Sequence, residues 1–487
     1  MRKKWLRLML LAGMMLLMSG CLFRSPSDLY AQPEKSVGYE KLNKAIADIK
    51  LGLEAEFGTS VENAVIVSGD NTATIQLQDL DGDGVRESAV TFMRLSGVEK
   101  AIKIYVFRPN GDKYDVVGIV EGDGTALYSV DYADLTGSGK KEIIVNWQVS
   151  SGVYKLGAYT MDDLIRPVAN QQDDTSPAAI KFLNAEQRSN LLATELLLTS
   201  WSGATDGTSG YTLTDIDHDT LAEVTVVRID PAGVASHAET YDWVDGAMVS
   251  RGTVNLSSGI KALVRLRANY VGGELYPTGL YVSSNLLDGQ RVVDVLAYQD
   301  NALVNLSMDE ETGVSREVII GYTDVNMADI NGDMILELPM PSPLPSLSET
   351  VPSNFYLINW AQYQEKGNSK HIMTTYHNIV DNWYLEIPDS WKNKITIYRN
   401  DTVIGQREVI FAQWKGTDEP PVPFLSIYRL TGTNRGAASA RAGRFVLREE
   451  GSVIYSAKLY DTKFNCGLDE NGLMERFHTV RSSWQDD

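Results

Sequence analysis

The chain has 487 residues and 43% hydrophobic content, enough for two or three folded domains. With 64 acidic against 44 basic residues the net charge is −20, which excludes a nucleic-acid-binding surface, since phosphate contacts need gathered Lys and Arg. The two cysteines, Cys21 and Cys466, are too few for a disulfide framework.

The first residues read as a signal peptide, residues 1–20. Arg2, Lys3, Lys4 and Arg7 form its positive end, Leu8 to Met18 its apolar run, and Ser19-Gly20-Cys21 a small-residue cleavage site. That run is about half of the roughly 20 residues a bilayer span needs, so a permanent transmembrane anchor is not expected. Leu17-Met18-Ser19-Gly20-Cys21 resembles a bacterial lipobox, which implies a lipid on Cys21 and a place on the outer face of the bacterial cell membrane. Removing residues 1–20 deletes four basic side chains and leaves 40 basic against 64 acidic, a net of −24. Residues 21–37 are polar and Pro-containing, a lipidated flexible tether.

A leading helix is predicted over 38–58, because Leu42, Ile46, Ile49 and Leu53 share one helical face. Beyond it one layout recurs four times: an apolar strand, a short acidic loop, and a second apolar strand. The loops run Asp79 to Glu87, Asp134 to Glu142, Asp215 to Glu223 and Asp329 to Glu337, each with an acid at positions one and nine. Between them, Ile102 to Phe107 and Tyr114 to Val120 around Pro109-Asn110-Gly111-Asp112 read as a hairpin.

That spacing suits Ca²⁺, a hard cation taking about six to eight oxygen ligands. Oxygens at positions one, three and five converge if the backbone curls, glycine at six permits the turn, a carbonyl at seven adds a ligand, and a carboxylate at nine closes the shell. In the first loop these are Asp79, Asp81, Asp83, Gly84, the Val85 carbonyl and Glu87, the best candidate site. The third loop offers Asp215, Asp217, Asp219 and Glu223, with Thr220 where glycine is wanted. The fourth offers Asp329, Asn331, Asp333 and Glu337, with Met334 at that place. The second, with Asp134, Thr136 and Ser138 followed by Lys140 and Lys141, is expected to hold no metal. Acidic turns whose Asp side chains cap their own amides are the alternative for all four.

The loops resemble the FG-GAP or VCBS-type repeats of integrin-α-like propellers. The resemblance implies a mainly β fold over 59–378, a β-propeller of five or six blades with five favoured, and structural calcium. The loop starts are 55, 81 and 114 residues apart, and the last gap leaves room for a degenerate blade near Asn285 to Gly289. Ala178 to Leu198 is expected to contain a helix, and Pro339 to Pro352, with five prolines, an irregular excursion within the last blade.

Residues 379–487 are expected to form a small α+β domain with an antiparallel sheet. Its strands would be Trp383 to Ile387, Ile395 to Tyr398, Glu408 to Phe411, Phe424 to Arg429 and Arg444 to Leu447, with a closing helix over Leu473 to Trp484. The phrase Trp383 to Trp391 resembles the opening of small domains in uncharacterised Gram-positive lipoproteins, which implies no activity. His371 and His377 are too far apart to chelate and are expected to face solvent, and Cys466 reads as a small buried residue. No nucleophile elbow, zinc-peptidase motif or dinucleotide fingerprint is present. The function expected is a surface-anchored, calcium-stabilised binding or scaffold module for a protein or glycan partner. An extracellular enzyme acting on polysaccharide is the alternative.

Overall fold

A computed structural model describes residues 37–161, 183, 185–202, 209–230, 232–274, 277–300, 302–320, 325–346 and 354–480. Cys21 and residues 22–36 of the expected tether lie outside these residues, and Val37 already belongs to the first helix.

The helix Val37–Phe57 buries Leu42, Ile46, Ile49 and Leu53 against Ala89, Met93, Tyr105 and Phe107 of the first sheet. The apolar stripe read from the sequence is therefore the face that docks.

Five antiparallel sheets of four or five strands follow in chain order, built mainly from strands that are neighbours in sequence, with a two-stranded ribbon of Met308–Asp309 and Val314–Ser315 between the fourth and fifth. The first joins Val61–Asn63, Ile75–Gln78, Ser88–Leu95, Ile102–Asn110 and Lys113–Gly122, and the second runs through Ala126–Ala133, Glu142–Ser150, Val153–Thr160 and Thr194–Ser202. The third comprises Tyr211–Thr214, Glu223–Arg228, His237–Val244 and Ala247–Asn255. The fourth is Ile260–Tyr270, Thr278–Leu286, Arg291–Gln299 and Ala302–Asn305, with Val318–Ile319 added beside its third strand. Asn285 to Gly289 therefore lies at a hairpin inside this sheet, which has no acidic loop of its own. The fifth comprises Glu337–Pro343, Tyr356–Tyr363, Ser369–Asn378, Trp383–Glu386 and Phe477–Thr479.

Each sheet packs on the next. One apolar cluster joins Phe92 and Ile104 of the first to Val145 and Trp147 of the second, and another joins Trp201 of the second to Val224 of the third. Val227 meets Leu280 between the third and fourth, and Tyr281 meets Leu338 and Tyr363 between the fourth and fifth. Central strands such as Ser88–Leu95 and Arg291–Gln299 are thus covered on both faces, which is why they read as continuous apolar runs instead of alternating ones.

The sixth sheet has the order Ile395–Arg399, Gln406–Gln413, Val422–Leu430, Val453–Leu459, Arg444–Glu450. Trp383, Trp391, Phe411 and Phe424 form the core it shares with the fifth. Asp381, 1% exposed, clamps the two sheets. It accepts from Arg407 at 2.7 Å and Arg399 at 3.2 Å, and Arg429 stands 4.0 Å away. A carboxylate so deeply buried needs such cations to be tolerated.

Several expectations shift. Strand Trp383–Glu386 pairs with Ser369–Asn378, so the fifth sheet runs past residue 378, and Phe477–Thr479 returns to it from the chain end. The closing helix is short, Glu470–Arg476, because the chain must extend to make that return. Within Ala178 to Leu198 the helix is Ala185–Ser189, residues 178–182 and 184 lie outside the described residues, and Thr194–Ser202 is an edge strand. Pro339, Pro341 and Pro343 lie in strand Glu337–Pro343 and not in an irregular excursion. The strand is an edge, and prolines at every second residue place their missing N–H groups on its open side, where no ladder bond is lost. His377 is buried, with its ring stacked on Tyr384 at 4.9 Å, and burial pushes its pKa down to about 3. Cys466 is half-buried at the edge of the shared core.

Candidate cation site in the acidic loops

All four loops share one backbone. The first Asp accepts from the amide at position six: Gly84 to Asp79 at 3.0 Å, Gly139 to Asp134 at 2.8 Å, Thr220 to Asp215 at 3.1 Å and Met334 to Asp329 at 3.0 Å. Position five caps the amide at seven in each, as Asp219 does for Leu221 at 2.8 Å. The apolar residue at position two, Leu80, Leu135, Ile216 or Ile330, anchors the loop in the core. Positions four and six have positive φ throughout. Glycine fills both in the first two loops, but His218 (64°) and Thr220 (84°) fill them in the third, and Met334 (70°) takes position six in the fourth. For a β-branched Thr this conformation is strained, so the carboxylate bonds around it must hold it there.

Loops one to three stand side by side, and loops three and four meet the same end of the fourth sheet, where Tyr270 pairs with Thr278. Lys141 N donates to Leu80 O at 2.9 Å, joining loops one and two. The Leu221 side chain of loop three comes within 3.1 Å of where a Cβ on Gly137 would stand. His218 Nε2 accepts from Thr278 N of the fourth sheet at 3.2 Å, and Ile335 of loop four bridges to Tyr270 of that sheet.

Their ends differ. In loops two, three and four the residue before the loop pairs with the ninth position: Ala133 with Glu142, Thr214 with Glu223, Ala328 with Glu337. Each of those glutamates is buried and accepts from the amide at position two, at 2.8, 2.7 and 3.0 Å. In loop one the ladder resumes one residue later, with Gln78 opposite Ser88. Glu87 is thereby displaced from the buried position, which Ser88 takes.

What faces that position differs too. Continuing the ladders Ala89 with Phe107 and Val224 with Tyr241 by one residue puts Arg108 beside Ser88 and Asp242 beside Glu223. Gln362 pairs directly with Glu337. In loop one the buried Arg108 guanidinium binds Asp81 at 2.6 Å and also binds Glu87, so a side-chain cation already engages two of the expected ligands. The Val85 carbonyl accepts from the Glu87 amide at 3.0 Å. In loop four the Gln362 amide donates to Asp333 at 2.9 Å and Glu337 at 3.1 Å. In loop three a further acid, Asp242, stands there, held by Arg251 at 3.3 Å.

Among the described residues, the carboxylate sets that converge to within 4.8 Å are Asp215, Asp217, Asp219 and Glu223, and Asp79, Asp81 and Asp83. Glu87 is not in the second set. In loop three, Glu223 Oε1 and Asp215 Oδ1 are buried with no hydrogen-bond partner. Burial first, and then Asp217, Asp219 and Asp242, push the Glu223 pKa up to about 7. Burial and Asp219 raise Asp217 as well. Glu337 is also pushed up to about 7, by burial and then by Asp333 and Asp329. Orphaned oxygens in a crowd of acids are the donor set a divalent cation requires, so the residues of loop three fit Ca²⁺. Arg108, Asp242 and Gln362, which decide between the loops, lie outside the motif and could be found only from the strand register.

A second feature is an open cleft of about 990 Å³ beside the fourth and fifth sheets, lined by Tyr298, Gln299, Asn305, Arg316, Glu365 and Lys366 among others.

No protein-family model matches the chain, and no curated protein matches it. Among solved structures, it is distantly similar to an exotype rhamnogalacturonan lyase, YesX, at 9% identity and a TM-score of 0.28, over 82% of this chain and 91% of that one. It is similar to the Bacillus licheniformis rhamnogalacturonan lyase PL11 at 12% identity and the same TM-score, again over 82% and 91%.

Proposed function

We propose that the chain is a cation-pinned binding scaffold: a five-bladed β-propeller carried on the outer face of a bacterial membrane by a lipid on Cys21. The observation that carries this reading is the row of neighbouring acidic loops, with the unpaired Glu223 and Asp215 oxygens converging in the third. Asp215, Asp217, Asp219 and Glu223 would hold Ca²⁺, and Asp329, Asn331, Asp333 and Glu337 would hold a second ion once the Gln362 amide turns its oxygen inward. Loop one would need no ion, because Arg108 supplies the charge.

Calcium here is structural and fixes the loops at one end of successive sheets. At millimolar calcium, a site with a dissociation constant on the order of 0.1 mM stabilises by roughly 1.4 kcal/mol. The loop surface it shapes is the one for a protein partner, while the open cleft, rich in hydrogen-bonding side chains, suits a glycan. The reading is tested by affinity capture from surface extracts with calcium and with chelator. A partner held only with calcium supports it, and none in either condition removes the scaffold role. For the anchor, labelling of growing cells with a tagged fatty acid should mark the unaltered protein and not Cys21→Ala, and an unlabelled unaltered protein would remove it.

A further inference from the structure

Charge is divided unevenly along the chain. Residues 37–390 carry 24 basic and 50 acidic side chains, whereas residues 391–480 carry 13 basic and 10 acidic. The sixth sheet is thus mildly basic on a strongly acidic body.

Arg448 pairs with Glu450 at 2.7 Å, and the sheet's other arginines fall into two groups. Arg399, Arg407 and Arg429 surround the buried Asp381 and are explained by it. The other group lies on the connection between Val422–Leu430 and Arg444–Glu450. Arg441 is exposed, Arg435 bonds its own turn at Gly432 O, and among the described residues neither pairs with a carboxylate. Arg444, beside them, lies flat on the Tyr428 ring at 3.6 Å.

The hairpin tip at 400–405 stands at the same end of the sheet. Thr431 N donates to Gly405 O at 2.9 Å, and Arg444 donates to Gln406 Oε1 at 3.1 Å. On that tip Ile404 is fully exposed and Val403 partly so. A single exposed aliphatic residue is ordinary. Two at the apex of a turn, bordered by guanidiniums with no acid to satisfy them, match the layers of a lipid surface: phosphates outside, hydrocarbon beneath.

We propose that this end of the sixth sheet docks on an anionic phospholipid surface, with Ile404 and Val403 entering the interface and Arg435 and Arg441 taking headgroup phosphates. A soluble anionic polymer would engage the arginines but leave Ile404 in water, so the tip residue distinguishes the two. This docking does not depend on a lipid at Cys21.

The test uses the full chain carrying Cys21→Ala, Cys466→Ser and Ile404→Cys, with a polarity-sensitive fluorophore at position 404. The local readout is indifferent to how the rest of the chain meets the vesicle. Vesicles of phosphatidylglycerol with phosphatidylcholine should blue-shift the probe. At low salt the shifted fraction should fall at least five-fold on phosphatidylcholine alone, and as far in the Arg435→Gln/Arg441→Gln pair, given about five-fold per guanidinium near such a surface. The same probe at the exposed Val234 should not shift. No shift at 404, an equal shift on both vesicle types, or binding of polyphosphate with 404 still in water would each overturn the proposal.

Discussion

Loops 79–87 and 215–223 begin with the same alternating aspartates and end in opposite electrostatics. In the first, an extra residue takes Glu87 out of the ladder and Arg108 faces the loop from the next strand. In the third, Glu223 is buried in register and Asp242 stands where the arginine stood. A ligand motif states what one segment offers. Whether a cation is wanted depends on the charge across the sheet, and here the loop with the better motif already has one.

The largest effect should come from removing that built-in cation. Arg108→Met leaves Asp81 and Glu87 without their partner, and breaking a buried pair in this way costs about 3 kcal/mol. Denaturant unfolding in chelator measures it, and calcium should recover part of the loss. A cost below about 1 kcal/mol would mean the guanidinium does not stabilise loop one. The converse change, Asp242→Arg, should abolish the calcium-dependent stabilisation from loop three, roughly 1.4 kcal/mol. An undiminished rise in melting temperature would separate Asp242 from the site.

The pH response is smaller and has a definite sign. Glu223 and Glu337 have folded pKa values raised to about 7, above the ordinary carboxylate range. Their contribution to stability is complete below that ordinary range and is lost as pH rises through 7. Calcium must displace those protons, so its affinity should climb between pH 6 and 8, and Glu223→Gln should flatten the climb. A pH-independent affinity would sink the linkage. The smallest effect belongs to Thr220→Gly, which relieves a β-branched residue at φ 84° and should stabilise the calcium-free protein by up to about 1 kcal/mol in thermal unfolding.

Much of this was legible in the sequence because it is local. The helical stripe from Leu42 to Leu53, the acids at positions one, three, five and nine, and most strands of the sixth sheet all follow from short-range pattern. What escaped is register. Ser88 taking the place of Glu87, and Arg108, Asp242 and Gln362 facing the loops, are set by ladders whose partners lie about 20 residues on. The sequence also counted Thr220 and Met334 against their loops for want of glycine. Both adopt the left-handed backbone, held by amide bonds to Asp215 and Asp329.

The most direct test is a calorimetric calcium titration of the unaltered protein, Glu223→Gln and Asp81→Asn. If loop three holds the ion, Glu223→Gln weakens the strongest site by about tenfold or more, equivalent to roughly 1.4 kcal/mol, and Asp81→Asn leaves it unchanged. Loss of the strongest site in Asp81→Asn, with Glu223→Gln unaffected, would return the ion to loop one and contradict the role given to Arg108.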